Sequence, residues 1–120
     1  MAWKEQMPNS AVTANEDWIV ERGDAVVEKK GRLGLSSLND WEHLVYCLWV
    51  ADYMMRNAGD FANAEDLYPS FQAEAAARAK TLGLALTEQT FSLSTEQLQS
   101  EYSNRFEAVC NEIKSAESAG

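Results

Sequence analysis

The stretch Asn39-Asp-Trp-Glu-His-Leu-Val-Tyr-Cys-Leu-Trp-Val-Ala-Asp-Tyr-Met-Met-Arg-Asn-Ala-Gly59 decides the fold. Asn39 followed three residues later by Glu42 is a capping box, and Asn57-Ala-Gly59 is a helix stop. Between them Trp41, Leu44, Val45, Leu48 and Met55 recur at helical spacing. Tyr46, Cys47, Trp49 and Val50 fill the remaining faces, so the helix is apolar nearly all round. A helix of that kind belongs at the centre of a domain, with others packed around it.

Working outward, Thr13-Ala-Asn-Glu16 offers a capped start for a helix from about Ala14 to Lys30, with Gly31 as its stop. After Gly59, a short helix is expected from Asp60 to Tyr68, ended by Pro69. An alanine-rich helix follows from Ser70 to Leu82, with Phe71, Ala75, Ala79 and Leu82 on one face and Gly83 as its stop. Leu84 to Leu93 is less regular. Ser94-Thr-Glu-Gln97 then caps a last helix whose stripe is Leu98, Tyr102, Phe106, Val109 and Ile113. No run alternates with period two for long enough to predict a strand. The expectation is one all-α domain over residues 1–120, a bundle of four main helices plus one or two short ones, with 1–12 and 115–120 loosely ordered.

The 120 residues carry 19 acidic against 10 basic side chains, a net charge of −9, and 46% hydrophobic residues. That apolar content fills one core, and it argues against intrinsic disorder. The charge argues against direct binding to nucleic acid or to an anionic membrane, since both need Lys and Arg to displace counterions. Met1 to Pro8 has no apolar run after Lys4, and the longest such run, Leu44 to Ala51, is well short of the roughly 20 residues of a membrane span. Cys47 and Cys110 both fall in helical patterns among apolar neighbours and read as reduced core thiols, so the expected location is cytoplasmic.

The acid is not evenly spread. Asp17, Glu21, Asp24 and Glu28 follow one another at intervals of 4, 3 and 4 residues. At 100° per residue they share a sector of roughly 60°, opposite Ile19, Gly23 and Val26, and climb roughly 16 Å along one edge. Like charges at these spacings repel, so the row costs on the order of 1 kcal/mol. It reads either as a solvated face or as a surface for basic side chains. Asp60, Glu65 and Asp66 extend the charge around the short helix. The last helix repeats the theme loosely, with Glu96 and Glu107 on one edge and Glu101 and Glu112 on the other.

Chemistry of other kinds finds little support. His43 and Cys47 share a helix face, but a cysteine between Tyr46 and Leu48 is buried rather than activated. With one histidine and no Glu-x-x-His pair, no metal centre is expected. Gly31-Arg-Leu-Gly34 matches a GxxG phosphate clamp, although a helix end followed by a turn accounts for it. No P-loop, dinucleotide fingerprint or nucleophile elbow is present. The expectation is therefore no catalytic residue, no cofactor and no enzyme.

The segment Leu35 to Gly83 resembles a family of small acidic all-helical bacterial proteins, first catalogued as a domain of unknown function, that includes a DNA-mimic protein. Leu38 to Glu42 match its capped start, Asn57, Gly59 and Phe61 match its turn loosely, and Leu82-Gly83 match its helix end. The family's double glycine is here Asn57-Ala58-Gly59, and Asp60 separates it from Phe61. The resemblance implies a dimer-capable helical protein whose acidic face occupies the DNA-binding surface of a regulator.

Two functional expectations share one electrostatic basis: a DNA-mimic-like inhibitor of a DNA-binding protein, or an immunity protein that plugs a basic nuclease toxin. The partner-binding residues would be Asp17, Glu21, Asp24 and Glu28, with Asp60, Glu65 and Asp66. A third expectation, from another class, is a small-molecule-binding bundle using His43, Tyr46 and Cys47. Trp3, Trp18 and Tyr53, if exposed, would supply a homodimer seam.

Overall fold

A computed structural model describes the backbone of residues 10–117 and the side chains of residues 14–117. Six α-helices appear among the described residues: α1 (Ser10–Leu33), α2 (Asp40–Ala58), α3 (Ala64–Leu67), α4 (Phe71–Leu82), α5 (Ala85–Phe91) and α6 (Thr95–Ser115). A 3-10 turn, Leu35–Ser37, joins α1 to α2. The all-helical class is as expected, and no strand occurs among the described residues. The expected four main helices plus one or two short ones become six among the described residues, and the one not placed from the sequence lies within Leu84 to Leu93.

The central position of α2 follows from its composition. Eleven of its 19 residues are buried, on every side of the helix. Three helices run antiparallel to it. Lys29 of α1 pairs with Glu42, while Gly23, a turn and a half earlier, lies against Trp49. Arg78 of α4 reaches Asp40, and Glu74 reaches His43. From α6, the Tyr102 hydroxyl donates to Asp52 near one end, and Trp41 Nε1 donates to the Ile113 carbonyl at 2.8 Å near the other. The α6 stripe of Leu98, Tyr102, Phe106, Val109 and Ile113 is buried in full. Phe71, Ala75 and Ala79 are buried on α4, where the small side chains leave room for α2.

The caps at Asn39 and Ser94 form as complete capping boxes. Gly59 and Gly83 end α2 and α4 in the left-handed conformation. Three boundaries differ from expectation. Helix α1 is already formed at Ser10, so Thr13 lies inside it; no Gly or Pro separates the two, and nothing stops the helix from extending back. Its other end passes through Gly31 to Leu33, and the turn uses Gly34, whose φ of 92° suits a residue without a side chain. Residues 60–63 stay out of α3 because Asp60 accepts a hydrogen bond from the Ala62 amide, a local turn that competes with the helix.

Residues 10–12, expected to be loosely ordered, are helical, while residues 1–9 and 118–120 lie outside the described range. No helix among the described residues is long and apolar enough to cross a membrane.

Candidate functional site

Helix α1 sets the geometry. Ile19, Gly23 and Val26 are buried, and Asp17, Glu21, Asp24 and Glu28 are exposed. Counted from Gly23 at 100° per residue, Asp24, Asp17, Glu28 and Glu21 fall at about 100°, 120°, 140° and 160° around the helix. The four carboxylates therefore form one outward row on a single continuous helix.

The counter-charges are elsewhere. Lys29 holds the Glu42 carboxylate at 2.9 and 3.0 Å, and Arg22 holds Glu117 at 2.6 Å. Lys30 lies 5.3 Å from the centre of the Tyr46 ring. Three of the four basic residues of α1 are thus drawn toward α2 and the C-terminal end of the chain. Among the described residues, none of the four carboxylates of the row has an ion-pair or hydrogen-bond partner. Glu42 shows the contrast. Burial works to raise its carboxyl, but the Asn39 amide and the Lys29 ammonium outweigh it and hold the group below the usual range.

Glu65 and Asp66 of α3 are also exposed and unpartnered among the described residues, whereas Asp60 is half-buried and engaged by the Ala62 amide. The looser acidic pattern of α6 is mostly internal. Glu101 pairs with Arg105, Glu107 accepts from Asn15, and Glu112 accepts from the Leu86 and Thr87 amides and the Thr87 hydroxyl. Of that set only Glu96 is exposed. Helical spacing could show only the i,i+4 pair of Glu101 with Arg105; the partners of Glu107 and Glu112 lie on other elements.

His43 and Cys47 lie in a packed region. His43 Nε2 is 2.8 Å from the Tyr68 hydroxyl and 3.9 Å from Glu74, which pairs with Arg78, which in turn pairs with Asp40. Burial pulls the His43 pKa down, Arg78 adds to that, and Glu74 and Asp40 oppose it. Burial also pushes up the Tyr68 hydroxyl, to about 12, and both thiols. Cys47 and Cys110 are fully buried and unbridged. Nothing in this arrangement generates a thiolate.

A cleft of about 280 Å³ lies between α1, α2 and α6, with Glu16, Asp52, Arg56 and Tyr102 on its walls. Asp52 is buried there and matched internally, accepting from Arg56 Nε at 2.7 Å and from the Tyr102 hydroxyl at 3.1 Å. Among the described residues, no group of three or more His, Cys, Asp or Glu side chains gathers as metal ligands do. Of the aromatics expected at a dimer seam, Trp18 is half-buried beneath Lys114, Tyr53 is exposed, and Trp3 lies outside the described residues.

Comparison of the chain with protein-family models, with curated proteins and with solved structures finds no match.

Proposed function

We propose that this chain is a non-enzymatic acidic interaction module that occupies a basic surface of a partner protein, as a DNA mimic does. The observation that carries the proposal is the α1 row. Asp17, Glu21, Asp24 and Glu28 stand exposed with no ion-pair or hydrogen-bond partner among the described residues, while Lys29, Lys30 and Arg22 of the same helix are engaged by other groups. A helix tuned only for stability would interleave those cations with the acids and recover a few tenths of a kcal/mol per pair. Left as it is, the row projects a negative field that steers a cationic protein toward it. Its carboxylates, about 5.5 Å apart along the axis on average, stand in roughly for backbone phosphates.

Capture from the host cytoplasm at low salt tests this. A basic protein should be retained and should elute as ionic strength rises and the Debye length falls below roughly 10 Å. Retention of neutral or acidic proteins alone, insensitive to salt, would overturn the proposal. A DNA-binding regulator and a basic nuclease toxin present the same chemistry to the row, and the identity of the captured protein separates them.

A further inference from the structure

Beside the acidic row the molecule exposes an aromatic seam. Tyr46, Trp49 and Tyr53 stack along α2, with ring centres 6.4 and 5.5 Å apart and planes within 12° and 15°. Tyr68 extends the series from the far side of Tyr46, at 5.3 Å. Exposure rises along the ladder from Tyr46 at 6%, through half-buried Trp49, to Tyr53 at 43%.

One bank of the seam is α1. Arg22, Lys29 and Trp18 occupy one flank of that helix, where Glu117, Glu42 and Lys114 meet them. On the other flank, about 40° and 60° from Gly23, come half-buried Val27 and Val20, followed by Asp24 and Asp17. Gly23 itself is against Trp49, so this valine flank borders the ladder. The second bank is α3, with Leu67 exposed at 37% and Glu65 and Asp66 beside it. An apolar floor thus runs between two acidic rims, closed at its buried Tyr46 end by Lys30.

We infer that this seam receives an amphipathic basic helix of the partner protein, its apolar side chains on Tyr53, Trp49 and Leu67 and its Lys or Arg side chains on the two rims. The inference rests on the proposed function and adds the shape of what docks. The accessible part of the ladder, from Trp49 to Tyr53, rises roughly 6 Å, about one turn, which suits apolar anchors at i and i+3 or i+4 of a helix laid against it. Charge complementarity favours a basic occupant over a second copy, because two chains of net charge −9 would oppose acidic rim to acidic rim.

The test uses a synthetic helical peptide of Leu and Lys, roughly 18 residues or five turns, and a control of the same composition scrambled to break the apolar stripe. The amphipathic peptide should bind about tenfold tighter or better, as expected where aromatic anchors carry an interface. Tyr53→Ser combined with Leu67→Ser should erase that preference, both positions being exposed and the fold checked by circular dichroism. Equal binding of the two peptides, unaltered by the double substitution, overturns the seam and leaves the acidic row standing. No binding of either peptide at low salt removes both. Concentration-dependent dimerisation that disappears with Tyr53→Ser overturns the seam in favour of a second copy.

Discussion

The indole of Trp49 fills the space that a side chain at Gly23 would need; its Cβ, Cγ and Cδ1 atoms all lie closer to that position than real Cβ contacts allow. Bare backbone at position 23 is what lets α1 settle on α2 with its acidic row turned outward. Gly23→Ala removes a helix-weakening glycine, worth up to about 1 kcal/mol, but overpacks a junction where such insertions cost about 1–3 kcal/mol. The net expected outcome is a lower denaturation midpoint. A double-mutant cycle with Trp49→Ala should recover part of the loss, which marks the clash as the cause.

Glu112 is the N-terminal cap of a helix it does not belong to. Leu84, at the start of α5, makes no side-chain cap, and the Glu112 carboxylate accepts the Leu86 and Thr87 amides at 3.1 and 2.6 Å instead. Glu112→Ala should lower stability by about 1–3 kcal/mol, since it strands the fully buried Thr87 as well as the cap. Hydrogen exchange should report the loss first in Leu86 and Thr87.

His43 predicts a specific acid sensitivity. Its folded-state pKa is lowered, by burial first and Arg78 second, below the ordinary 6.5. The native state therefore binds this proton less readily than the unfolded chain. Stability is full above pH 6.5 and is lost as pH falls from there through the lowered folded value. Glu42, lowered from 4.5, gives its own loss only below that pH. Denaturant melts across this range should show a first decline beginning near 6.5 that His43→Gln flattens.

The thiols should be silent in the native protein. Cys47 and Cys110 are fully buried, with pKa values pushed up by burial, so a thiol reagent at neutral pH should label neither until denaturant is added. Rapid stoichiometric labelling of Cys47 without unfolding would revive a chemical role for the His43–Cys47 face.

What could be read from the sequence, and what could not, divides along local and non-local lines. The capping boxes at Asn39 and Ser94, the stops at Gly59 and Gly83 and the buried stripe of α6 are each specified within a few neighbouring residues. Helix α5 was not legible because its cap comes from Glu112, 26 residues from Leu86. Gly31 misled because a helix tolerates glycine at a cost of about 1 kcal/mol, and of Gly31 and Gly34 it is Gly34 whose backbone has positive φ. The α1 row was legible as a sector of a helical wheel. That its own helix's cations had turned to Glu42, Tyr46 and Glu117 depended on the packing of α1 against the rest of the chain.

Whether that row is retained for a partner decides its function. Asp17→Asn, Glu21→Gln, Asp24→Asn and Glu28→Gln together should leave the melting temperature unchanged or slightly raised, since repulsion on the order of 1 kcal/mol is relieved. The affinity for the captured basic protein, measured on the same samples at matched salt, should fall at least about tenfold, and its salt dependence should flatten. An intact fold with undiminished affinity and the same salt dependence would contradict the account and leave Asp17, Glu21, Asp24 and Glu28 as a solvated face.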